Sequence, residues 1–480
     1  MRYKEAYSYI SSFINYERAS GIKEDLNVHG LKRVKVLMFL LGNPQNNFRS
    51  IVIAGTKGKG SVAAMMESVL REAGHKTGLY TSPHLHTFRE RIRVNGEMIV
   101  PDDVGRITER IKAVVEEIER LDDPALMPTY YELATAMAFL YFQEKEVDIA
   151  VLEVGLGGRL DAVNVVNPLV SVITSISLDH MGILGNTIAE IAGEKAGIIK
   201  EGGHVICAPQ HHEAMSVINR VANEKRAGLT RVGREVYLGS GNLPEVVLDE
   251  EGLPVHQAFT VSFAGHGGQP GARVRLRLPL MGNHQQVNAA IAVTALLALN
   301  DHGLQLDREA IIKGFSHVQW PGRLEIIHRH PTVVADGAHN ADSISKLNQA
   351  MYDLFYKHPL IVVLGIFKDK DLQGMVKELG TDKSNVFGPY IEKVIVTHPN
   401  NPRAADPVKL AELVQAHGVE VEIQPNIADA LKRAEDLALE GSSESEREPV
   451  VLVTGSLYTV AEAREYYGLA PDLSEEQNGA

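Results

Sequence analysis

The chain has 480 residues, 44% hydrophobic and 23% charged, which fits a folded globular protein of two or three domains and excludes a disordered or fibrous chain. A net charge of −13 repels polyanions, so nucleic acid is not an expected partner. A single cysteine, Cys207, rules out an internal disulfide framework; no apolar run reaches membrane-span length, and the N-terminal stretch has no leader pattern, so a cytoplasmic chain without membrane contact is expected.

In chain order, Ser50–Gly55 (SIVIAG) is a short β-rich run ending in Gly, and Ser61–Gly74 has helical periodicity with Ser near its start and Gly at its end. Val147–Gly155 and Leu169–Ser177 are near-continuous apolar runs, the pattern of central parallel strands covered on both faces. The alternation predicts an α/β domain. Around Arg226–Pro279 the chain turns Gly- and Pro-rich with short alternating runs, predicting a small antiparallel excursion, and VNAAIAVTALLAL returns to helix. A second α/β series starts near Leu324, with strands in TVVADG, LIVVLGIF, KVIVTHP, VEVEIQ and PVVLVTGS. The expected division is a first domain at 1–318, a hinge at 319–324 and a second domain at 325–480. Gly441–Glu448 reads as a polar loop and the final SEEQNGA as a frayed tail.

Gly55-Thr56-Lys57-Gly58-Lys59-Gly60-Ser61 lies between a predicted strand and a predicted helix. Backbone N–H groups in such a turn can cradle phosphate oxygens, and the helix adds its positive dipole end. Lys59 can neutralise the β- and γ-phosphates and Ser61 can ligate magnesium, although Gly60 separates them, unlike the usual phosphate-loop spacing. Glu153 ends a predicted parallel strand, where open α/β sheets bind ligands; it suits a magnesium ligand there, with a capping carboxylate as the lesser reading. His180 follows another strand and, read alone, is a strand-end histidine bonded to backbone. Lys195 sits in a helical pattern that by itself reads as a solvated face.

The loop is followed in order by Thr81-Ser82-Pro83-His84-Leu85, Arg89-Glu90-Arg91-Ile92, LEVGLGGRLDAVN at Leu152–Asn164, Ser177–His180, Gly193–Lys200, Pro321–Arg323, Asp336–Asn340 and Val453–Ser456. Together these resemble the folylpolyglutamate synthase/dihydrofolate synthase family of the Mur ligase superfamily, over nearly the whole chain. One departure is Lys57, where that family usually has Asn.

The resemblance implies a phosphate-loop central domain with an antiparallel β excursion and a C-terminal Rossmann-like α/β domain. It implies a cytoplasmic ATP-dependent ligase that adds L-glutamate to folate, or to dihydropteroate, through an acyl phosphate. The expected substrates are small molecules and the expected state a monomer. ATP is expected on Gly55, Thr56, Gly58, Lys59, Gly60 and Ser61, with Asn288 on the adenine side and Arg323, Asp336 and His339 from the second half. Two magnesium sites are expected, on Ser61, Ser82, Glu153, His180 and Lys195, the lysine as an N-carboxylated carbamate. Lys59, Lys195 and His180 carry the catalytic expectation. Thr129, Tyr130, Tyr131, Glu132, Asp161 and Ala162 are expected around the pteroyl group, the tyrosines serving equally as core aromatics, and Arg403 at the incoming amino acid. Two rivals remain. A Mur-type ligase for another acceptor would want a further N-terminal domain, for which the first fifty or so residues leave no room. A non-catalytic nucleotide-binding regulator would be marked by loss of Lys59, Glu153 or Lys195, and all three are present.

Overall fold

The structure, a computed structural model, describes residues 1–14, 24–239, 245–265, 271–379, 390–441 and 447–477. The first half is built on an eight-stranded sheet in the order Glu97–Met98, Ile92–Val94, Thr77–Tyr80, Ile149–Glu153, Arg49–Ala54, Val170–Ile173, His204–Cys207, Gly228–Arg231. The last six of these run parallel, and the first two form an antiparallel edge. Alternation along Arg49–Ala54 sends Ile51 and Ile53 to one core and Val52 and Ala54 to the other. Helices Lys59–Glu72 and Asn283–Ala298 cover the first face; Pro101–Glu119 and Tyr130–Glu144 cover the second. Burial on both faces is why these strands read as continuous apolar runs.

The antiparallel excursion forms as a four-stranded sheet of Val236–Leu238, Glu245–Leu248, Pro254–Phe263 and Arg273–Leu278. It starts later than expected, because Gly228–Arg231 is the last parallel strand of the main sheet. The second half carries a six-stranded sheet in the order Glu325–His328, Val333–Ala335, Val450–Thr454, Leu360–Leu364, Ile391–Thr397, Glu420–Gln424. All but the first run parallel, and that first strand is antiparallel to its neighbour.

Two expectations change. The tail is not frayed up to Gln477: Ser474–Gln477 is a helical turn, and Glu476 accepts from Thr87 Oγ1 at 2.7 Å and Arg89 Nη1 at 3.3 Å, back on the first half. Residues 478–480, and most of the Gly441–Glu448 loop, lie outside the described residues. The helix expected through Gly193–Lys200 is Ile188–Ala196, and Gly197 ends it one residue after Ala196. Among the described residues no helix is long and apolar enough to cross a membrane.

Candidate active site

The strand Arg49–Ala54 lies at the middle of the first sheet, and its carboxyl end opens into the glycine loop. That is the edge at which parallel α/β sheets bind ligands. The helix after the loop begins at Lys59, with Gly58 as its cap at φ 86°. The helix starts two residues earlier than the Ser61–Gly74 expected, so Ser61 sits inside the first turn, where it is buried. The first-turn N–H groups have no intrahelical acceptor and face the loop's concave side. Glycine is required by close approach. A Cβ on Gly58 would come 2.4 Å from Asn288 Oδ1, and one on Gly60 would come 2.7 Å from the Trp320 ring. Thr56 lines the cavity and has a structural task besides. Its N–H donates to Ser175 O at 2.9 Å and its hydroxyl to Ser177 O at 3.2 Å, bracing the loop against the neighbouring strand's exit.

A cavity of about 630 Å³ opens between the two halves. It gathers Thr56, Gly58, Lys59, Gly60 and Ser61 with Ser82, Glu153 and His180. Thr129, Tyr131, Glu132, Asp161 and Ala162 line it from the same half, as does Asn288; Arg323, Asp336, His339 and Arg403 come from beyond the linker. Three expected residues are not on the wall: Gly55, Tyr130 and Lys195. Tyr130 is buried in the core, edge-on to Phe88, with the Arg91 guanidinium over its ring at 5.6 Å. Of the two tyrosine readings, the packing one describes Tyr130, while Tyr131 faces the cavity and donates its hydroxyl to Glu153 O at 3.2 Å.

Glu153 is buried, accepts from Ser82 N–H at 3.1 Å, and has Lys59 Nζ at 3.8 Å. Burial raises its pKa, and Lys59, the Ser82 N–H and Arg323 pull against that rise. Lys195, in the last turn of its helix, is buried rather than solvated, and donates to Gly55 O at 2.8 Å. Burial first, then the Lys59 charge, pushes its pKa down to about 7, so a neutral amine is accessible at physiological pH. His180 is half exposed at φ 50°, and burial of its ring holds its pKa below the ordinary histidine value.

Asn288 stands against the phosphate loop at Gly58. It donates to Gln285 Oε1 at 2.9 Å, and Gln285 Nε2 donates to Ser61 Oγ at 3.3 Å. Gln285 is the member of this chain that sequence reasoning missed, although it lies in the same GNHQQ stretch. Asp336 accepts from Leu324 N and Ala338 N at 3.0 and 2.9 Å, so it shapes the turn beside Arg323. Asp161 likewise accepts from the N–H groups of Leu156 and Val163, each at 3.0 Å, and burial pushes its pKa up to about 7. Arg403 pairs with Asp369 at 2.9 Å and lies over the Phe367 ring.

Arg33 was also missed. It reaches the cavity from the helix Glu24–Leu40 and pairs with Glu132 at 3.3 Å, both nearly enclosed. Glu132 also closes a capping box with Thr129, whose N–H it accepts at 2.7 Å. Removing one partner of a buried pair leaves the other uncompensated. Arg33→Met is expected to cost about 3 kcal/mol of stability, and Arg33→Met/Glu132→Gln to recover part of it. Urea unfolding checks this; a loss indistinguishable from zero for the single variant would contradict it.

Residues 53–296 match the family described as Mur ligase middle domain, and residues 322–457 match Mur ligase, glutamate ligase domain. The chain is 38% identical to dihydrofolate synthase/folylpolyglutamate synthase of Bacillus subtilis over 461 residues, covering 96% of this chain and 98% of that one. The chain belongs to the folylpolyglutamate synthase/dihydrofolate synthase family of Mur ligases. Among solved structures of the family, it is similar to Mycobacterium tuberculosis folylpolyglutamate synthase complexed with ADP (TM-score 0.85, 32% identity, 98% of this chain and 99% of that one). It is also similar to E. coli FolC in complex with DHPP and ADP, with TM-score 0.78, 30% identity and 97% of each chain covered. The fold class expected from the sequence is the family's.

Proposed function

We propose that this chain is an ATP-dependent ligase that joins L-glutamate to folate, and to dihydropteroate, through an acyl phosphate. The observation that carries the reading is the pairing of Lys59, at the start of the phosphate-loop helix, with the buried Glu153 at 3.8 Å in a cavity shared by both halves. The halves, divided at 319–324, close about that linker, with ATP on the loop and Arg323, Asp336 and His339 approaching from the second half. Enclosure matters because an acyl phosphate hydrolyses if water reaches it.

Magnesium fits the donor set for one site. Ser61 Oγ and the Glu153 carboxylate offer oxygen ligands beside the loop, with Ser82 next to Glu153. A second site on His180 and Lys195 fits only when the lysine is an anion, since its present amine is a donor bonded to Gly55 O. Among the described residues no three His, Cys, Asp or Glu side chains converge as a metal cluster, so the serines and a modified Lys195 have to complete the set. When bound, magnesium would offset charge on the transferring phosphoryl group.

The carboxylate oxygen of the pteroyl or folyl substrate attacks the γ-phosphorus in line, and the bond to the ADP oxygen breaks. Lys59 and the first-turn N–H groups stabilise charge building on the departing ADP. The neutral amine of glutamate then attacks the acyl carbon; phosphate leaves with one former carboxylate oxygen, and the amine's proton goes to solvent. Asp161, Tyr131 and Thr129 edge the compartment proposed for the pteroyl group, and Arg403 the one for glutamate.

A coupled ADP-release assay tests the reading. Turnover is expected with dihydropteroate plus L-glutamate and with tetrahydrofolate plus L-glutamate, and not with D-glutamate plus a uridine-nucleotide peptide. The reverse pattern would replace the folate reading with a peptidoglycan-type ligase.

A further inference from the structure

Lys57 is the residue that departs from the family pattern, and the chemistry above gives it no task. Its N–H donates to Ser175 O at 3.3 Å, and its side chain, on the cavity wall, runs to partners outside the loop. The ammonium donates to Asp179 Oδ2 at 3.0 Å and to His339 Nε2 at 3.3 Å. His339 Nδ1 lies 2.8 Å from Gly337 O, a contact that only an N–H can satisfy. The neutral ring therefore carries its proton on Nδ1 and offers the Nε2 lone pair to Lys57. Burial and the Lys57 charge keep His339 neutral, with a pKa held down at about 3.

The partners belong to different parts of the fold. Asp179 precedes His180 on the exit of the strand Val170–Ile173, whereas His339 follows the strand Val333–Ala335 in the second sheet. The same turn holds Asp336, which bonds Leu324 N beside Arg323. One ammonium thus joins three loops that bring Lys59, His180 and Asp336 to the cavity. Asparagine at this position ends two bonds short of the lysine ammonium and carries no charge for Asp179.

We propose that Lys57 is a positioning residue that latches the second half onto the phosphate loop through His339, holding the closed arrangement in which the acyl phosphate forms. The proposal rests on the ATP-dependent reading above. It predicts a closed state weakened by loss of either latch partner and, for loss of Lys57, nucleotide contacts left intact.

The test uses full-length protein carrying Glu213→Cys and Lys409→Cys, exposed positions on the two halves, labelled for single-molecule energy transfer. Cys207 is buried and stays unlabelled. With a non-hydrolysable ATP analogue and magnesium, Lys57→Met and His339→Phe are each expected to lower the closed-to-open ratio about tenfold, the loss of one charge-assisted hydrogen bond. The double variant should fall no further, because the two side chains form one contact. Turnover should fall in parallel for both variants, while for Lys57→Met, which leaves every residue placed at the nucleotide unchanged, calorimetric affinity for the analogue changes by less than about threefold. If Lys57→Met does not fold, Lys57→Asn takes its place with the same expectation. An unchanged ratio, additive losses in the double variant, or analogue affinity lost with Lys57→Met alone would overturn the latch, the last by showing direct phosphate contact. If the analogue fails to bind unsubstituted protein, the ATP reading falls instead. The latch is then read in the protein alone, where the same tenfold shift is expected and its absence overturns it.

Discussion

Lys59→Ala is expected to lower ATP turnover by roughly a hundred- to a thousand-fold, the usual cost of removing one preorganised group that stabilises transition-state charge. The side chain leaves the first residue of the Lys59–Glu72 helix and ends 3.8 Å from Glu153. Its removal takes away the cation facing the phosphates and also leaves the buried Glu153 with one fewer counter-charge. Stability should fall by less than for Arg33→Met, because Lys59 stands 3.8 Å from Glu153 and the Ser82 N–H and Arg323 still offset that carboxylate's burial. ADP release and a urea unfolding curve measure the two effects. Near-normal ADP release from a folded Lys59→Ala protein would remove the phosphate loop from the account.

Lys195→Ala is expected to cost about a hundred-fold in activity, the upper end for residues that support a metal site. The sign of the substitution pattern is diagnostic. A carbamate contributes a negative charge, so Lys195→Arg should not rescue, and small carboxylic acids added to Lys195→Ala should partly restore turnover. A lysine that merely packs would tolerate Arg. Carbamate formation needs the neutral amine, and with the pKa depressed to about 7 the neutral fraction grows from roughly a tenth at pH 6 to nine-tenths at pH 8. Activity in buffers stripped of bicarbonate should therefore fall most steeply on the acid side. The carbamate keeps one N–H on Nζ, so the bond to Gly55 O at 2.8 Å can persist after modification. Equal activity of Lys195→Arg and unsubstituted protein would contradict the carbamate while leaving the ligase intact.

The phosphate loop was legible because its signal is local: a strand, a glycine turn and a helix in consecutive residues set the geometry of Lys59 and Ser61 without help from elsewhere. The strands Ile149–Glu153 and Val450–Thr454 were legible because burial on two faces leaves an unbroken apolar run. What escaped depends on contacts between distant segments. Lys195 sits in a helical pattern whose periodicity cannot say which face meets the phosphate loop, 140 positions away at Gly55. Arg33 and Glu132 are separated by 99 positions, and neither has a pattern that marks it as paired. Glu476 lies in a polar tail whose composition suggests fraying, yet it docks on Thr87 and Arg89. The short edge strand Glu325–His328 follows directly on the linker and adds to its sheet antiparallel, where an alternating signal of four residues is too brief to read. Thr56 and Asp161, expected at ligands from the matched motifs, also hold backbone: the Thr56 hydroxyl reaches Ser177 O at the neighbouring strand's exit, and Asp161 accepts from N–H groups of its own loop.

The account stands on formation of an acyl phosphate, and oxygen transfer tests it most directly. Dihydropteroate carrying ¹⁸O in its carboxylate would be incubated with the protein, ATP, magnesium and L-glutamate, and the released phosphate examined by mass spectrometry. One labelled oxygen should appear in each phosphate, because the carboxylate oxygen that attacks the γ-phosphorus leaves with it when the glutamate amine attacks the acyl carbon and displaces phosphate. Amide product accompanied by unlabelled phosphate would contradict the mechanism.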